Sequence, residues 1–544
     1  MWVRCWRANG SRSLPAGSSS HYNTVIVGAG SAGAVLAARL SEDPARSVCL
    51  VEAGPDYLHL DELPPTVRGF DFTDRPYAAR KTLSHEWQYT ARATDRNLNM
   101  PVPRGRMVGG SSSINGVVFL RALRSDLDGW AALGNPGWSY ADCLPYYRKL
   151  ETDCDFLSSE WHGAAGPVPV SRAARENWLP PSEAFYAACT TLGALEAPDF
   201  NAPDARGVGP IPTNYHNDIR HSSAIAYLMP ARPRSNLEVR GNTVATSLRL
   251  EDHRARGVQV LHDGQAEDVE ADEVILCAGA IGSPHLLMLS GIGPAAALQA
   301  IGIQPLVDLA GVGQHVRDHP FVATLWETTE PGARDRLTGL PWQLMLRTRA
   351  GQPDDGWLTM LMSTPRDPNR GRGFMIPSSL MYARSTGSMK LASADPSVTP
   401  VLDFNYLSDP SDFEHLRSLA RLALEIGRHS AFDGIHAGLR QPTPSDLADD
   451  ASFEEWIMRT VSTGHHISCT CRMGPPTDAT AVVDQAGRVY GVENLRVIDA
   501  SIMPDCPSVN LNATVLMIAE KLADTYSKSP TASATRSMRS MPVK

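Results

Sequence analysis

The sequence predicts an α/β protein of two domains, one built around a parallel sheet and assembled from segments far apart in the chain. Three observations carry this expectation. Residues 22–52, YNTVIVGAGSAGAVLAARLSEDPARSVCLVE, read as strand, glycine turn, helix and strand. A second strand–glycine–helix unit recurs at residues 273–289, EVILCAGAIGSPHLLML. The 544 residues are too many for one compact core.

The first unit is the most informative. Thr24 to Val27 is a β-branched run suited to a buried parallel strand. Gly28, Gly30 and Gly33 form G-x-G-x-x-G. The first glycine allows a sharp turn, the second lets a pyrophosphate approach the backbone, and the third lets helix and strand pack closely. The helix is expected over Ser31 to Leu40, with its N-terminal N–H groups facing phosphates. Val48 to Val51 is the next strand. Glu52 ends it, roughly 20 residues past the glycines, where an acid binds ribose hydroxyls. Strand, helix and acid together point to a Rossmann-like dinucleotide site.

Further along, Met100 to Ala122 is a glycine–serine stretch with Gly105, Gly109, Gly110 and Gly116 breaking regular structure and Ser111 to Ser113 supplying hydroxyls. Its apolar flanks mark it as a buried loop able to lie against a ligand. Asp128 to Leu150 reads as helical in parts, broken at Pro136-Gly137, and about 155–204 reads as Pro-rich and irregular. Leu237 to Val244 and Gly257 to Val260 alternate like antiparallel strands. Asp335 to Arg347 and Asp412 to Arg428 read as helices, and Phe374 to Phe404 as alternating strands, all in a second domain. Leu495 to Ile498 is a strand and Asn512 to Asp524 an amphipathic helix.

Composition sets the bounds. Hydrophobic residues make up 42% and charged residues 20%, as in ordinary soluble globular proteins. The formal net charge of -9 excludes a typical nucleic-acid binder and favours neutral or cationic small molecules. No apolar run reaches the roughly 18 residues of a membrane helix. Nine cysteines lie scattered without metal-ligand spacing, so no metal site is expected and the thiols read as free, in a reducing compartment. Residues 1–21 carry Arg4, Arg7 and Arg12 with serines and no acid. They read as a disordered bacterial extension or a mitochondrial presequence, so the expected location is the bacterial cytoplasm or, alternatively, the mitochondrion. The tail from 528 reads as disordered.

The chain resembles the glucose–methanol–choline (GMC) oxidoreductases, and within them the choline-dehydrogenase-like branch. Four blocks carry the resemblance: GAGSAG with Glu52; GRMVGGSSSINGVVFLRA; GAIGSPHLLMLSGIG; and HHISCTCRMG followed by VENLRVIDASIMP and NLNATVLMIAEKLAD. The resemblance implies FAD and the oxidation of an alcohol. It implies an FAD domain from 22–154, 205–314 and 465–527, and a substrate domain, a mainly antiparallel sheet covered by helices, from 155–204 and 315–464. By the same resemblance Gly28, Gly30, Gly33 and Glu52 hold the pyrophosphate and ribose. Gly109, Gly110, Ser111 and Asn115 line the flavin and its phosphates. Val244 contacts the adenine side, Asp499 and Ala500 the ribityl chain, and Asn512 and Thr514 the isoalloxazine end. His466 and Asn510 form the catalytic pair. Where some members link FAD covalently through a histidine, this chain has Ile114, so non-covalent FAD is expected. Where choline-handling members often have tyrosine, it has His465, which disfavours an aromatic ammonium cage.

The expected reaction is oxidation of a polar primary alcohol to an aldehyde, with the hydride passing to flavin N5. An amino-sugar intermediate of antibiotic biosynthesis, such as paromamine, is the candidate substrate; choline is the alternative. A flavin-containing lyase of the same fold and a nicotinamide dehydrogenase are alternatives of another class. Oxygen, a quinone and an electron-transfer protein all stay open as electron acceptor. His466 and His465 are expected on opposite faces of a strand-like approach, with His466 facing the substrate.

Overall fold

The computed structural model describes residues 20–70, 85–329, 340, 342–349, 357–363 and 373–527. The extension and the tail expected to be disordered lie outside these, apart from residues 20 and 21.

The first sheet runs Leu237–Arg240, Val48–Val51, Ser20–Val27, Gln265–Leu276, Arg254–His262, Thr243–Glu251, with Leu495–Val497 also paired to Gln265–Leu276. Its centre is parallel: Thr24 to Val27 align with Val48 to Val51 on one side and with Glu273 to Leu276 on the other. All four residues of Val48–Val51 are buried, which is why the sequence there is a continuous apolar run. Leu237–Arg240 departs from the antiparallel expectation. It adds to Val48–Val51 in parallel, while Thr243–Glu251 turns back to form the antiparallel pair with Arg254–His262. A short run with alternating side chains does not reveal its partner's direction.

The second sheet is antiparallel, in the order His436–Gln441, Pro320–Thr328, Gly373–Leu380, Trp357–Ser363, Trp342–Arg349, Gly207–Pro210. Helices Pro410–Gly427 and Pro180–Thr191 pack on it. The helix expected over Asp412 to Arg428 is present, one face of it buried through Leu416, Leu419, Ala420 and Ala423. The one expected over Asp335 to Arg347 is not: Trp342–Arg349 is a strand, and 335–339 lie outside the described residues. Residues 342–346 are apolar or polar without a 3.6-residue stripe, and burial on both faces selects strand. The region about 155–204 is not irregular throughout, because Pro180 and Pro181 sit in the first turn of a helix, where a missing N–H costs nothing. Likewise Met100–Gly105, read as loop, is a strand paired with Glu86–Arg92. Gly207–Pro210 hydrogen-bonds to Leu344–Arg347 and so belongs to the antiparallel sheet, although the expected boundary at 205 puts it with the nucleotide segment. Among the described residues no helix is long and apolar enough to cross a membrane.

Candidate active site

The glycine turn is shaped partly by the protein and partly by something else. Gly28 has φ +98°, and a Cβ there would lie 2.6 Å from the Cys277 carbonyl oxygen; at Gly33 it would lie 1.9 Å from the Gly28 oxygen. Close backbone packing explains both glycines. At Gly30 a Cβ would meet its first heavy atom, Gly110 Cα, only at 3.9 Å. Nothing among the described residues requires glycine there, so the space it leaves suits a group that approaches the backbone from outside. Helix Ser31–Leu40 starts at this point with Gly30 as its N-cap and no capping side chain. Its N–H groups and dipole therefore favour an anion. Helix Asn512–Ser527 begins beside it, with Ser31 Oγ donating to Asn512 Oδ1 at 2.8 Å. The glycine–serine loop closes the cradle: Gly109 N–H donates to the Ala29 carbonyl at 2.8 Å, and Ser112 and Ser223 hydroxyls meet at 3.0 Å. The cradle fits a dinucleotide pyrophosphate.

Glu52 is buried with Oε2 accepting from Ala29 N–H at 3.0 Å and Oε1 from Gly54 N–H at 2.9 Å. Burial pushes its carboxyl up to about 7, against those hydrogen bonds. Thr243 N–H donates to the Glu52 carbonyl at 2.8 Å, which places Val244 at the same end of the cradle. Ser111 Oγ accepts from Gly105 N–H at 3.1 Å, and Asn115 Oδ1 from Val117 N–H at 3.0 Å, so both brace the loop. Ile114 packs beside Leu63, Val67 and Met107. Asp499 uses both carboxylate oxygens within the protein, accepting from Gly279 N–H and Ser283 Oγ, and from the Ser501 N–H and hydroxyl. It ties the Gly279–Leu289 helix to the Ala500–Ile502 turn, leaving Ala500 at the turn's start. Thr514 is also engaged, its hydroxyl 2.8 Å from Tyr147 OH. The side chains of Glu52, Ser111, Asn115, Asp499, Asn512 and Thr514 all turn to protein partners around the cradle.

His466 and Asn510 do come together. Asn510 Nδ2 lies 2.9 Å from His466 Nε2. The other ring nitrogen, Nδ1, lies 2.8 Å from Nδ1 of His319. Below them Asp318 organises the backbone: its Oδ1 accepts from His466 N–H at 2.7 Å and His319 N–H at 2.8 Å, and its Oδ2 from Tyr406 OH at 2.6 Å and from the Thr463 hydroxyl. Burial, then the neighbouring His319, His465 and Arg104, pull His466 well below the usual imidazole range; burial takes His319 down to about 4. Both rings are neutral at physiological pH. The two adjacent histidines part as expected, His465 outward and His466 inward, but not on a strand. His465 sits at φ +65° in a bend after Ser462–Thr463, and Arg104 donates to its carbonyl at 2.8 Å.

Asp318, His319, Tyr406 and Cys506 escape sequence reasoning altogether. His319 stands in RDHP at the start of a segment without recognisable spacing, 147 residues from its partner His466. A second buried cluster also escaped it. His162 Nδ1 lies 2.8 Å from Glu151 Oε1 and 3.0 Å from Asp153 Oδ2, and Nε2 lies 2.9 Å from Asp199 Oδ2. Glu151, Asp153 and His162 have the donor set of a cation site. Arg121 on Glu151 and Arg172 on Asp153 and Asp199 already supply the positive charge, so the cluster is an ion network.

Comparison with known proteins agrees with this architecture. GMC oxidoreductase family models match residues 22–321 and 383–519. The mitochondrial choline dehydrogenase of Homo sapiens is 38% identical over 96% of this chain and 93% of its own. An oxygen-dependent choline dehydrogenase of Vibrio vulnificus is 36% identical over 93% of this chain and 94% of its own. The crystal structure of pyridoxine 4-oxidase from Mesorbium loti superposes with a TM-score of 0.85 at 30% identity, covering 94% of this chain and all of that one. A cradle that fits a dinucleotide, a neutral histidine beside an asparagine, and relatives that match nearly end to end lead to one conclusion: the chain belongs to the GMC oxidoreductase family of FAD-carrying enzymes and is an alcohol oxidoreductase.

Proposed function

We propose that the protein oxidises the primary hydroxyl of a polar small molecule to the aldehyde, with His466 as the base and Asn510 holding the oxygen. The observation that most supports this is the bridge from His319 through His466 to Asn510. FAD, when bound, supplies the acceptor for the hydride that leaves the alcohol carbon. The residues of the chain supply the rest. His466 starts neutral, so it can take the hydroxyl proton. Asn510 has two amide hydrogens; one meets His466 Nε2 and the other is available to the substrate oxygen as negative charge develops there.

In this reading Gly28, Gly30 and Gly33 hold the pyrophosphate, Glu52 and Val244 the adenosine end, and Gly109, Gly110, Ser111 and Asn115 the flavin side. Asn512 and Thr514 act through the N-terminal backbone of their helix, and Asp499 fixes the turn that carries Ala500. The FAD domain takes 22–154, 205–314 and 465–527, with Gly207–Pro210 excepted. Ile114 offers no nucleophile, so the FAD is held without a covalent link, and acid or heat releases all the colour from the polypeptide. Colour retained on the denatured chain refutes this. The proposed location is a bacterial cytoplasm, and the mitochondrial choline dehydrogenase of Homo sapiens supports the alternative, a mitochondrion.

For the substrate, the acidic balance and His465 in place of tyrosine favour a polar alcohol such as the 6′-hydroxyl of paromamine. A second reading, choline, is favoured by the two choline dehydrogenase relatives. The test is anaerobic stopped-flow with paromamine, choline, pyridoxine and benzyl alcohol at equal concentration. Paromamine or another polar alcohol should reduce the flavin fastest. If choline does, the enzyme is a choline dehydrogenase. If no alcohol bleaches the flavin, the redox reading falls and a lyase takes its place. Oxygen uptake against reduction of a quinone by the reduced enzyme identifies the acceptor.

A further inference from the structure

A neutral imidazole can take a proton on Nε2 only if its single hydrogen sits on Nδ1. In His466 the surrounding groups decide which tautomer is present. Its Nδ1 lies 2.8 Å from Nδ1 of His319, so one of those two nitrogens carries a hydrogen and the other accepts it. His319 Nε2 lies 3.3 Å from Cys506 Sγ. The Asn510 amide nitrogen, 2.9 Å from His466 Nε2, only donates, so that nitrogen of His466 carries no hydrogen and the single hydrogen of the ring sits on Nδ1. His319 Nδ1 accepts it, so the hydrogen of His319 is on Nε2, facing Cys506 Sγ.

Cys506 closes the ring. Its sulfur accepts from His319 Nε2–H, and its thiol points back to the His466 carbonyl at 3.8 Å. The segment that carries it is itself anchored: Trp130 Nε1–H donates to the Asp505 carbonyl at 2.9 Å, Arg317 pairs with Asp505 at 3.1 Å, and Ser508 N–H donates to Asp126 at 3.0 Å. We infer that Cys506 is a positioning residue which, through His319, holds His466 as the Nδ1–H tautomer, with Nε2 unprotonated and its lone pair on the Asn510 amide. The inference rests on the reading of His466 as the base.

The experiment is ¹⁵N NMR of histidine-labelled holoenzyme, with His466 assigned by the signals lost in His466→Ala, alongside anaerobic flavin reduction. The wild type should show His466 protonated on Nδ1 alone. Cys506→Ser keeps an acceptor and a donor and should keep both spectrum and rate. Cys506→Ala should give a mixture of tautomers, and the rate should fall with the competent fraction, roughly two- to tenfold. A wild-type His466 protonated on Nε2 overturns the inference, whether or not the variants fold. So does a Cys506→Ala enzyme with unchanged spectrum and rate. The expected spectrum in an enzyme that no alcohol reduces means that the functional reading has failed while the positioning of His466 stands.

Discussion

Two histidine clusters in this molecule, one buried and one half-buried, end in opposite charge states. His162 is enclosed by Glu151, Asp153 and Asp199, and His466 by His319, Asn510 and Cys506. Burial opposes charge in both. At His162 the hydrogen bonds to Asp153, Asp199 and Glu151 outweigh it and hold the ring up at about 10. At His466 the neighbours are neutral or positive and add to burial. Burial alone therefore does not set the state of an interior histidine; its hydrogen-bond partners do. The carboxylates keep His162 a cation at neutral pH, and it joins Glu151, Asp153 and Asp199 into one network. The neutral ring of His466 keeps its proton-accepting capacity.

The sharpest test exchanges the roles. His466→Ala should retain FAD and slow flavin reduction by about 10²- to 10⁴-fold in anaerobic stopped-flow, with little loss of stability. His162→Ala should do the reverse: it leaves buried carboxylates without their partner and should cost about 3–5 kcal/mol in urea unfolding, while the folded fraction reduces its flavin at the normal rate. Equal effects on both readouts in both variants would erase the distinction. Within the site, Asn510→Ala should slow flavin reduction by about 10²- to 10³-fold, the range for a lost oxyanion donor; a change below tenfold removes Asn510 from the proposed chemistry.

The pH dependence of stability separates the clusters more gently. His162 binds its proton more tightly folded, at about 10, than unfolded, at 6.5. Its contribution is complete below pH 6.5 and is lost as pH rises toward 10, by up to about 1.4 kcal/mol per pH unit. His319 has the opposite sign. Folded it titrates near 4, so the unfolded chain takes up the proton first, and stability falls as pH drops from 6.5 toward 4. Urea midpoints across pH 4–10 should show both slopes, and His162→Gln should flatten only the alkaline one. The smallest effect is expected at His465, which faces outward: His465→Ala should change flavin reduction by less than about fivefold, well under the 10² of a lost acid–base group. A larger loss than in His466→Ala would reverse the assignment of the base.

The sequence by itself determined the parallel core, the glycine turn with Glu52, and the pairing of His466 with Asn510. The glycine turn with Glu52 and the pairing of Thr24–Val27 with Val48–Val51 lie within about 30 residues, so spacing encodes them, whereas the partner strand Glu273–Leu276 was legible only as an apolar run of its own. The third came through family resemblance, because those two residues stand 44 apart. Local signals also misled. The Pro-rich stretch about 155–204 reads as irregular although Pro180 and Pro181 open a helix, and 342–347 read as helix although its pairing with Thr359–Ser363 and Gly207–Pro210 makes it a strand. Only the tertiary structure decided the charge of each histidine. His319 and Cys506 lie 187 residues apart, and Arg172 meets Asp199 across 27. A proton's affinity depends on the groups within a few ångströms, and folding brings those groups together from segments whose own sequences carry no mark of the encounter.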